Sequence, residues 1–342
     1  MCTVGGVGLA RFRCMPTESL IAWLRDADPV LRWQVERDLM GEPAEVWEAT
    51  RARIATEGFG ARLLALQDPD GQWAGGAFLP ADFDLHGPEA AEGEPWTATT
   101  WTLNSLREWG LDPAVLRERR TAERLAENCR WEYENRPYWD GEVDCCINAW
   151  TVANGLWLGA DVTAIVDWLL DHRLPDGGWN CAWVEGSTRS SFHSTLNSLT
   201  GLLAHDVATG GTEATRAARH SGEEYLLQRG LFRRLSTGEP VAPWIDHFAY
   251  PFRWRYSVLN AADYFRRASR LDGSPPDPRM ADAIELIRVS RQPDGTWLQA
   301  GRPPGRVWFE VDAPAGEPSK WLTLIGTRVL AWWDSRTPRP VP

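Results

Sequence analysis

Two short segments of the chain concentrate side chains that can bind metals or transfer protons. Residues 141–146 read GEVDCC, and residues 192–195 read FHST. A carboxylate at Asp144, a thiolate at Cys146 and an imidazole at His193 would supply three ligands of the types that bind tetrahedral zinc, with the fourth position left for substrate or water. We therefore predict a site for Zn²⁺ or another borderline metal, held by Asp144, Cys146 and His193.

Each of these three residues also has an ordinary structural explanation. Asp144 could be a helix N-cap, Cys146 could be a small buried hydrophobe, and His193 could be a structural residue at a helix start. Successive residues of a helix point in different directions, so we expect only Cys146, and not its neighbour Cys145, to face the site.

Three further residues are candidates for catalysis together with Asp144. Glu142 could be a general acid or base, or it could complement a helix dipole. Cys181 could complete the metal coordination, act as a nucleophile beside His193, or simply be buried. His247 precedes a later helix and could shuttle protons, neighbour the metal or cap that helix. The predicted catalytic residues are Glu142, Asp144, Cys181 and His247.

Aromatic and basic residues near the same helix starts are candidates for substrate binding. Tyr256 and Arg253 could bind substrate oxygens, although the arginine could instead stack on Trp254. Aromatic walls can also stabilise a cationic guest by cation–π attraction. The predicted substrate-binding residues are Trp101, Trp179, Arg253, Tyr256 and Trp321.

A repeated turn predicts the elements that position these residues. The sequence Pro-Asp-Gly-x-Trp occurs three times and ends at Trp73, Trp179 and Trp297, each time after an amphipathic segment. Proline presets φ and glycine accepts a positive φ, so each copy is typical of a tight turn that follows a helix. We expect each tryptophan to fold back onto the end of that helix.

A second repeat marks the buried helices. Five small apolar segments can be aligned on Leu103, Ile147, Leu196, Leu259 and Leu324. The residues three positions earlier should then lie at one level, near the N-termini of these helices. These residues are Thr100, Asp144, His193, Tyr256 and Trp321.

Together the repeats predict an all-α fold with about six buried helices alternating with six outer ones. Amphipathic segments at 115–129, 212–228 and 279–290 are expected to be outer helices. Six such pairs can close into an (α/α)6 toroid, and an open superhelical solenoid is the competing shape. We predict one domain over residues 1–342, with an N-terminal arm at 1–16 and a C-terminal tail at 335–342.

The turns and the metal-ligand pattern together resemble a known superfamily. The Asp-Gly-x-Trp turns resemble the QW motifs of squalene-hopene cyclases and their terpenoid cyclase relatives. The two metal-ligand segments resemble the zinc-binding segments of protein prenyltransferase beta subunits, in which a D-x-C pair and a later histidine hold zinc. Asp144, Cys146 and His193 match those positions. The resemblance runs from about Gly58 to Trp333 and extends to short bacterial squalene-cyclase-like or prenyltransferase-like proteins.

The resemblance implies a metal-assisted cyclase or transferase that acts on an apolar or isoprenoid substrate in a central aromatic cavity. The D-x-D-D acid motif of class II cyclases is missing, because residues 142–145 read EVDC. This difference disfavours hopene-type cyclisation by a central aspartic acid. Two other functions remain open. Lanthionine-forming cyclases are also zinc-containing α/α toroids, which would imply thiol addition to a peptide, and a toroid could also bind a hydrophobic ligand without catalysis.

Composition excludes several other classes of protein. The 342 residues carry a net charge of −11 and a single lysine, which disfavours nonspecific nucleic-acid binding. No apolar stretch is long enough for a transmembrane helix, and residues 1–16 lack the apolar core of a secretory signal. The six cysteines lack the spacing of a small disulfide framework. We therefore expect a cytoplasmic enzyme whose partner is a small apolar or isoprenoid molecule.

Overall fold

The computed structural model describes residues 17–336, and helices dominate this part of the chain. Its fourteen α-helices are α1 (Glu18–Arg25), α2 (Pro29–Val35), α3 (Ala44–Ala52), α4 (Gly58–Ala65), α5 (Thr99–Trp109), α6 (Pro113–Glu118), α7 (Thr121–Asn128), α8 (Cys145–Leu158), α9 (Thr163–Asp171), α10 (Phe192–Thr209), α11 (Glu213–Leu227), α12 (Val258–Asp272), α13 (Ala281–Val289) and α14 (Lys320–Arg336). A two-stranded antiparallel sheet pairs β1 (Trp297–Leu298) with β2 (Pro318–Ser319). The predicted all-α fold class is confirmed.

The ends of the helices follow the capping residues of the sequence. Asp28 and Asp112 each accept a hydrogen bond from the first turn of a helix that begins with proline. Thr212 and Ser257 form capping boxes at the starts of α11 and α12. The predicted helix at 115–129 is instead split into α6 and α7, because Arg120 between them has a left-handed φ of 55°.

The predicted N-terminal arm at 1–16 lies outside the described residues, as do residues 337–342 of the predicted C-terminal tail. Helix α14 continues to Arg336, so the tail predicted at 335–342 begins too early. Among the described residues, no helix is both long and apolar enough to cross a membrane.

The long buried helices pack against one another in chain order. Helix α5 contacts α8, α8 contacts α10, α10 contacts α12, and α12 contacts α14. The α8–α10 pair is especially close because Gly201 has no side chain, and a Cβ there would lie 2.6 Å from the Ala149 carbonyl oxygen. Helix α14 also packs against α2. At that contact, Arg328 donates to Gln34 Oε1 at 3.2 Å and forms an ion pair with Asp38 at 3.5 Å.

The three tryptophan turns have one geometry. The indole Nε1 of Trp73, Trp179 and Trp297 donates to the carbonyl ten residues earlier, at 2.8 Å, 2.8 Å and 3.0 Å. The glycine of each turn has a positive φ between 93° and 104°. All three indoles are almost fully buried. The prediction that each tryptophan folds back onto the preceding helix is confirmed.

The turns also reveal which positions of the buried helices are equivalent. The backbone N–H of each turn tryptophan donates to a threonine hydroxyl at the start of the next buried helix, at 3.1 Å to Thr99, 3.1 Å to Thr195 and 3.0 Å to Thr323. The sequence alignment paired Thr102, and not Thr99, with the other two. The structure therefore shifts the alignment of this helix by three residues. The residue two positions before each of these threonines is Thr97, His193 or Trp321, so Thr97, and not Thr100, is equivalent to His193 and Trp321.

Replacing Thr195 with Val should destabilise the protein by about 1 to 3 kcal/mol, because the buried N–H of Trp179 would lose its acceptor. Urea denaturation at pH 7 measures the change in the free energy of unfolding. Thr200→Val is the matched control, because the Thr200 hydroxyl bonds only to the Leu196 carbonyl of its own helix. Equal losses in the two variants would contradict the role assigned to Thr195.

Candidate metal centre

Three thiols meet at the N-terminus of α8. The Sγ atom of Cys181 lies 3.4 Å from that of Cys145 and 3.3 Å from that of Cys146. The three sulfurs form a group whose atoms all lie within 4.8 Å of one another. We call these residues the thiol cluster. Three convergent sulfur donors fit a thiophilic ion such as Zn²⁺, with room for a fourth ligand.

The expectation that only Cys146 of the vicinal pair faces the site is wrong. Side chains in the first turn of a helix tilt toward its N-terminus, so consecutive residues can both reach a group located beyond that end. Cys181 occupies such a position, because the Cys146 backbone N–H interacts with its sulfur. The tryptophan turn places Cys181 there, since Trp179 is anchored two residues earlier and the Cys181 N–H donates to Ser194 Oγ at 3.1 Å.

A carboxyl group adjoins the thiol cluster. Asp144 occupies the N-cap position of α8, but its side chain makes no capping hydrogen bond. Burial, the charge of Cys181 and the charge of Glu142 raise the pKa of Asp144 to about 7. The carboxyl of Asp144 therefore interacts electrostatically with Cys181. Asp144 thus adjoins the thiol cluster but lies outside the compact group of three sulfurs.

The remaining charged groups at this end are tied to the local backbone. Glu142 Oε2 accepts a hydrogen bond from the Asp144 N–H at 2.6 Å, and Asn148 pairs with the Glu142 backbone through both its amide atoms at 2.7 Å. Burial raises the pKa of Glu142. Hydrogen bonds with the Cys145 and Cys146 thiols lower the pKa of Cys181. The hydrogen bonds therefore tie Glu142 to the backbone just before α8. The lowered pKa favours the thiolate form of Cys181.

His193 is not part of the thiol cluster. Its Nδ1 accepts a hydrogen bond from the Tyr256 backbone N–H at 2.8 Å, which leaves Nε2 as the protonated nitrogen of the neutral ring. Burial and the charge of Arg255 lower the pKa of His193 to about 4. The structure thus groups Cys146 with Cys145 and Cys181, and of the predicted ligands Asp144, Cys146 and His193 only Cys146 belongs to this compact group.

One amide connects His193 to the thiol cluster. Asn197 Nδ2 lies 3.5 Å from Cys146 Sγ, 2.9 Å from the His193 carbonyl and 3.0 Å from the Trp254 carbonyl. Asn197 and Gly201 are four residues apart and therefore share the face of α10 that packs against α8. The sequence contains this signal, because Asn197 belongs to a repeated Thr-Leu-Asn-Ser-Leu segment, but we did not predict it as a site residue.

A cleft of about 560 Å³ is lined in part by His193. Its walls are mainly aromatic rings and prolines, and they include Trp244, Phe252, Trp254 and Tyr256. Among the described residues, the lining groups able to donate hydrogen bonds from a side chain include His193, His247 and Arg255. The volume and apolar lining are typical of a small-molecule site.

Two of the predicted residues line this cleft in unexpected ways. The Tyr256 hydroxyl points away, because it donates to the Leu231 carbonyl at 2.6 Å and the residue is buried. His247 is exposed, and its Nε2 lies 3.1 Å from the Gly301 carbonyl oxygen. Tyr256 therefore contributes its ring to the wall, and His247 stands at the mouth of the cleft rather than in the thiol cluster.

Several aromatic side chains surround a very small space. Trp96, Trp109, Trp308 and Phe309 come together between the buried helices and leave a space of about 20 Å³. Arg253 also lines this small space, with its guanidinium carbon 5.2 Å from the centroid of the Trp96 ring. Burial lowers the pKa of Arg253 to about 10. Among the described residues, two larger clefts of about 560 Å³ and 420 Å³ each share one lining residue with this space.

The other predicted substrate residues do not line the cleft beside His193. Trp101 is buried against Trp96, and its Nε1 donates to the Phe78 carbonyl. Trp179 is fully buried in its turn. Trp321 stacks on Tyr250 at 4.4 Å and lines a second cleft of about 420 Å³. We therefore assign structural roles to Trp101 and Trp179.

Asp312 in the second cleft predicts a dependence of stability on pH. Burial raises the pKa of Asp312 to about 6, although Ser319 Oγ and Gln299 Nε2 donate to its Oδ2 at 2.6 Å and 2.9 Å. Because the folded pKa lies above the unfolded value, the folded state favours the neutral acid. Stability from this group is present at low pH and is lost as pH rises through about 6.

Asp312→Asn should remove this loss. From pH 4 to pH 8, the stability of the variant relative to the wild type should rise by on the order of 2 kcal/mol. Urea denaturation at several pH values measures this difference. A difference that stays constant with pH would show that Asp312 titrates alike in the folded and unfolded states.

A second group of ligand-type side chains already binds an arginine. His220, Glu223 and Asp272 lie close together, but Arg219 donates to Glu223 at 2.8 Å and to the two Asp272 oxygens at 2.9 Å and 2.6 Å. Arg219 also donates to Asp206 at 3.0 Å and is completely buried. A guanidinium therefore already uses carboxylate oxygens of this group, and the thiol cluster remains the better candidate.

Comparison with known proteins does not identify a family. No protein-family model matches the chain, and no curated protein matches it.

Proposed function

We propose that the protein is a zinc-assisted enzyme of the terpenoid cyclase or prenyltransferase type, acting on an apolar or isoprenoid substrate. The observation that carries the proposal is that the thiol cluster and the apolar cleft adjoin each other through Asn197, which contacts Cys146 on one side and carbonyls of His193 and Trp254 on the other. A donor set for a metal and a binding space for an apolar molecule are thus parts of one site.

The order of helix contacts supports an (α/α)6 toroid as the scaffold. The buried helices contact one another successively from α5 to α14, and α14 contacts α2 near the start of the described chain. The hydrogen bond from Trp33 Nε1 to the Trp109 carbonyl, at 2.7 Å, joins α2 to α5. These contacts fit a closed ring better than an open solenoid, in which the terminal helices would not meet.

In this proposal, Cys145, Cys146 and Cys181 hold the zinc ion, and Asp144 is available beside them. A bound zinc ion would supply Lewis acidity or stabilise a thiolate. The rings of Trp244 and Trp254 exclude water from an apolar substrate. His193 Nε2–H and Arg255 are hydrogen-bond donors for a polar or anionic end of the substrate.

Product analysis with the zinc-loaded protein tests the reaction type. Farnesyl diphosphate, with and without a thiol acceptor, squalene, and a dehydrated peptide distinguish prenyl transfer, cyclisation and thiol addition. The sulfur-only cluster also suits thiol addition of the lanthionine-cyclase type, so turnover of the dehydrated peptide alone would favour that function. Saturable binding of an apolar substrate without any product would favour the non-catalytic binding protein.

A substitution in the wall of the cleft tests whether an observed activity depends on this site. Trp244→Ala should raise KM or the dissociation constant by about 10-fold or more, because burial of an aromatic ring contributes about 1.5 to 3 kcal/mol. Trp168→Ala is the control, since Trp168 stacks on His172 and does not line the cleft. Equal effects of the two substitutions would show that the activity does not depend on the cleft.

A further inference from the structure

Cys181 has two sulfur partners at nearly the same distance. Its Sγ lies 3.4 Å from Cys145 and 3.3 Å from Cys146, and it is the most exposed of the three residues. Cys145 and Cys146 are buried in the first turn of α8, whereas Cys181 begins the short 3-10 helix Cys181–Glu185. A reagent in solution would therefore reach Cys181 first.

We propose that Cys181 is a site of reversible oxidation that forms a disulfide with either Cys145 or Cys146. The disulfide depends only on the three sulfurs, whereas its effect on metal binding rests on the proposed function. Oxidation would remove two of the three sulfur ligands, so a protein with this disulfide would not retain zinc.

The geometry makes Cys181 the obligatory member of the pair. Cα atoms of adjacent residues are about 3.8 Å apart, whereas most disulfides require about 4.4 to 6.8 Å. Cys145 and Cys146 are adjacent within a helix and therefore pair poorly with each other. The sulfurs of Cys181 and either partner need to approach by only about 1.3 Å to reach bonding distance. Cys129 is buried and lies outside the thiol cluster.

A small disulfide such as oxidised glutathione can supply the oxidant. The Cys181 thiolate attacks one glutathione sulfur, which forms a mixed disulfide and releases glutathione thiolate. The thiol of Cys145 or Cys146 then loses its proton and attacks Cys181 Sγ. The protein disulfide forms and a second glutathione leaves. Two protein thiols lose two electrons in total, and oxidised glutathione is reduced to two glutathione molecules.

The test uses the full chain with Cys2 and Cys14 replaced by serine, equilibrated without metal in oxidised and reduced glutathione. Peptide mapping by mass spectrometry should find Cys181 linked to Cys145 or Cys146, and excess reduced glutathione should reverse the bond. Cys145→Ala and Cys146→Ala should each still form one disulfide through the remaining partner. Cys129→Ala is the control and should behave like the parent protein.

Two further variants make the proposal falsifiable. Cys181→Ser should form no disulfide, and Cys145→Ala with Cys146→Ala should accumulate glutathione on Cys181. Fully reduced thiols in the parent protein at equilibrium with excess oxidised glutathione would overturn the proposal, and so would a Cys145–Cys146 disulfide in the Cys181→Ser variant.

Zinc provides a separate readout for the proposed function. Zinc added to the reduced protein should slow disulfide formation at least 10-fold, and oxidation should release bound zinc to a chromogenic chelator. A disulfide that forms in a protein with no affinity for zinc would defeat the proposed metal-assisted function but leave this inference intact. Zinc that stays bound after Cys181 has been oxidised would defeat the predicted coupling between the two.

Discussion

Replacing Cys181 with Ser should weaken zinc binding by more than about 100-fold. Losing an outer-shell group that only orients a metal ligand typically costs 10- to 100-fold, and loss of a direct thiolate ligand should exceed that range. Cys181 is central to the thiol cluster because its sulfur lies within 3.4 Å of both other sulfurs. Competition with a chromogenic chelator gives the dissociation constant, and elemental analysis gives the stoichiometry.

Two control variants separate this ligand set from the one predicted from the sequence. Cys129→Ala removes a buried thiol outside the thiol cluster and should leave zinc affinity unchanged. His193→Ala should change zinc affinity by less than about 10-fold, because the histidine lies outside the compact group and acts only as a neighbour. A large loss of zinc in His193→Ala with little change in Cys181→Ser would restore the sequence-based ligand set.

Replacing Arg219 with Met should destabilise the protein by about 3 to 5 kcal/mol, the range expected when one partner of a buried ion pair is removed. The guanidinium is fully buried and binds three carboxylates, those of Asp206, Glu223 and Asp272. These groups come from α10, α11 and α12. The substitution would leave buried negative charge without a partner. Urea denaturation at pH 7 measures the loss.

An exposed arginine provides the matched comparison. Arg279 also pairs with two carboxylates, those of Asp277 and Glu224, but its side chain is 42% exposed. Arg279→Met should therefore cost no more than about 1 kcal/mol. If Arg219→Met cost as little as Arg279→Met, the buried network would contribute nothing specific to the packing of α10, α11 and α12.

Much of the fold could be predicted from local sequence chemistry. Proline, aspartate and glycine at fixed offsets determine the three turns, and capping residues such as Thr212 and Ser257 determine helix starts within one or two residues. The equivalent positions of the buried helices are harder to predict. The Thr-Leu-Asn-Ser-Leu segments at 102–106 and 195–199 are identical in sequence, but they differ by three residues in their position relative to the threonine that accepts the tryptophan N–H. Thr99, and not Thr102, receives the tryptophan N–H.

The candidate site could be predicted only in part. The sequence indicates Cys146 and Cys181 as possible neighbours, and it places both near helix starts. It does not show that Cys181 lies beyond the end of α8, where Cys145 can reach it as well as Cys146. It also does not show that the Tyr256 N–H holds the His193 ring on the cleft side. Both facts depend on contacts between segments that are distant in the chain.

The bond between Arg328 and Gln34 spans 294 residues, whereas each tryptophan turn is closed by a bond across ten residues. Helices α2 and α14 lie near the two ends of the described residues, and local opening commonly begins in elements near the ends of a chain. We therefore expect local opening to begin where α14 meets α2, while the turns stay closed. Native-state hydrogen exchange should then show less protection for the backbone amides of α2 than for the indole N–H groups of Trp73, Trp179 and Trp297, which close the turns. In folding terms, the described residues form a series of locally closed units that contacts between distant segments hold together, and the contact of α14 with α2 is where we expect the slow motions to begin.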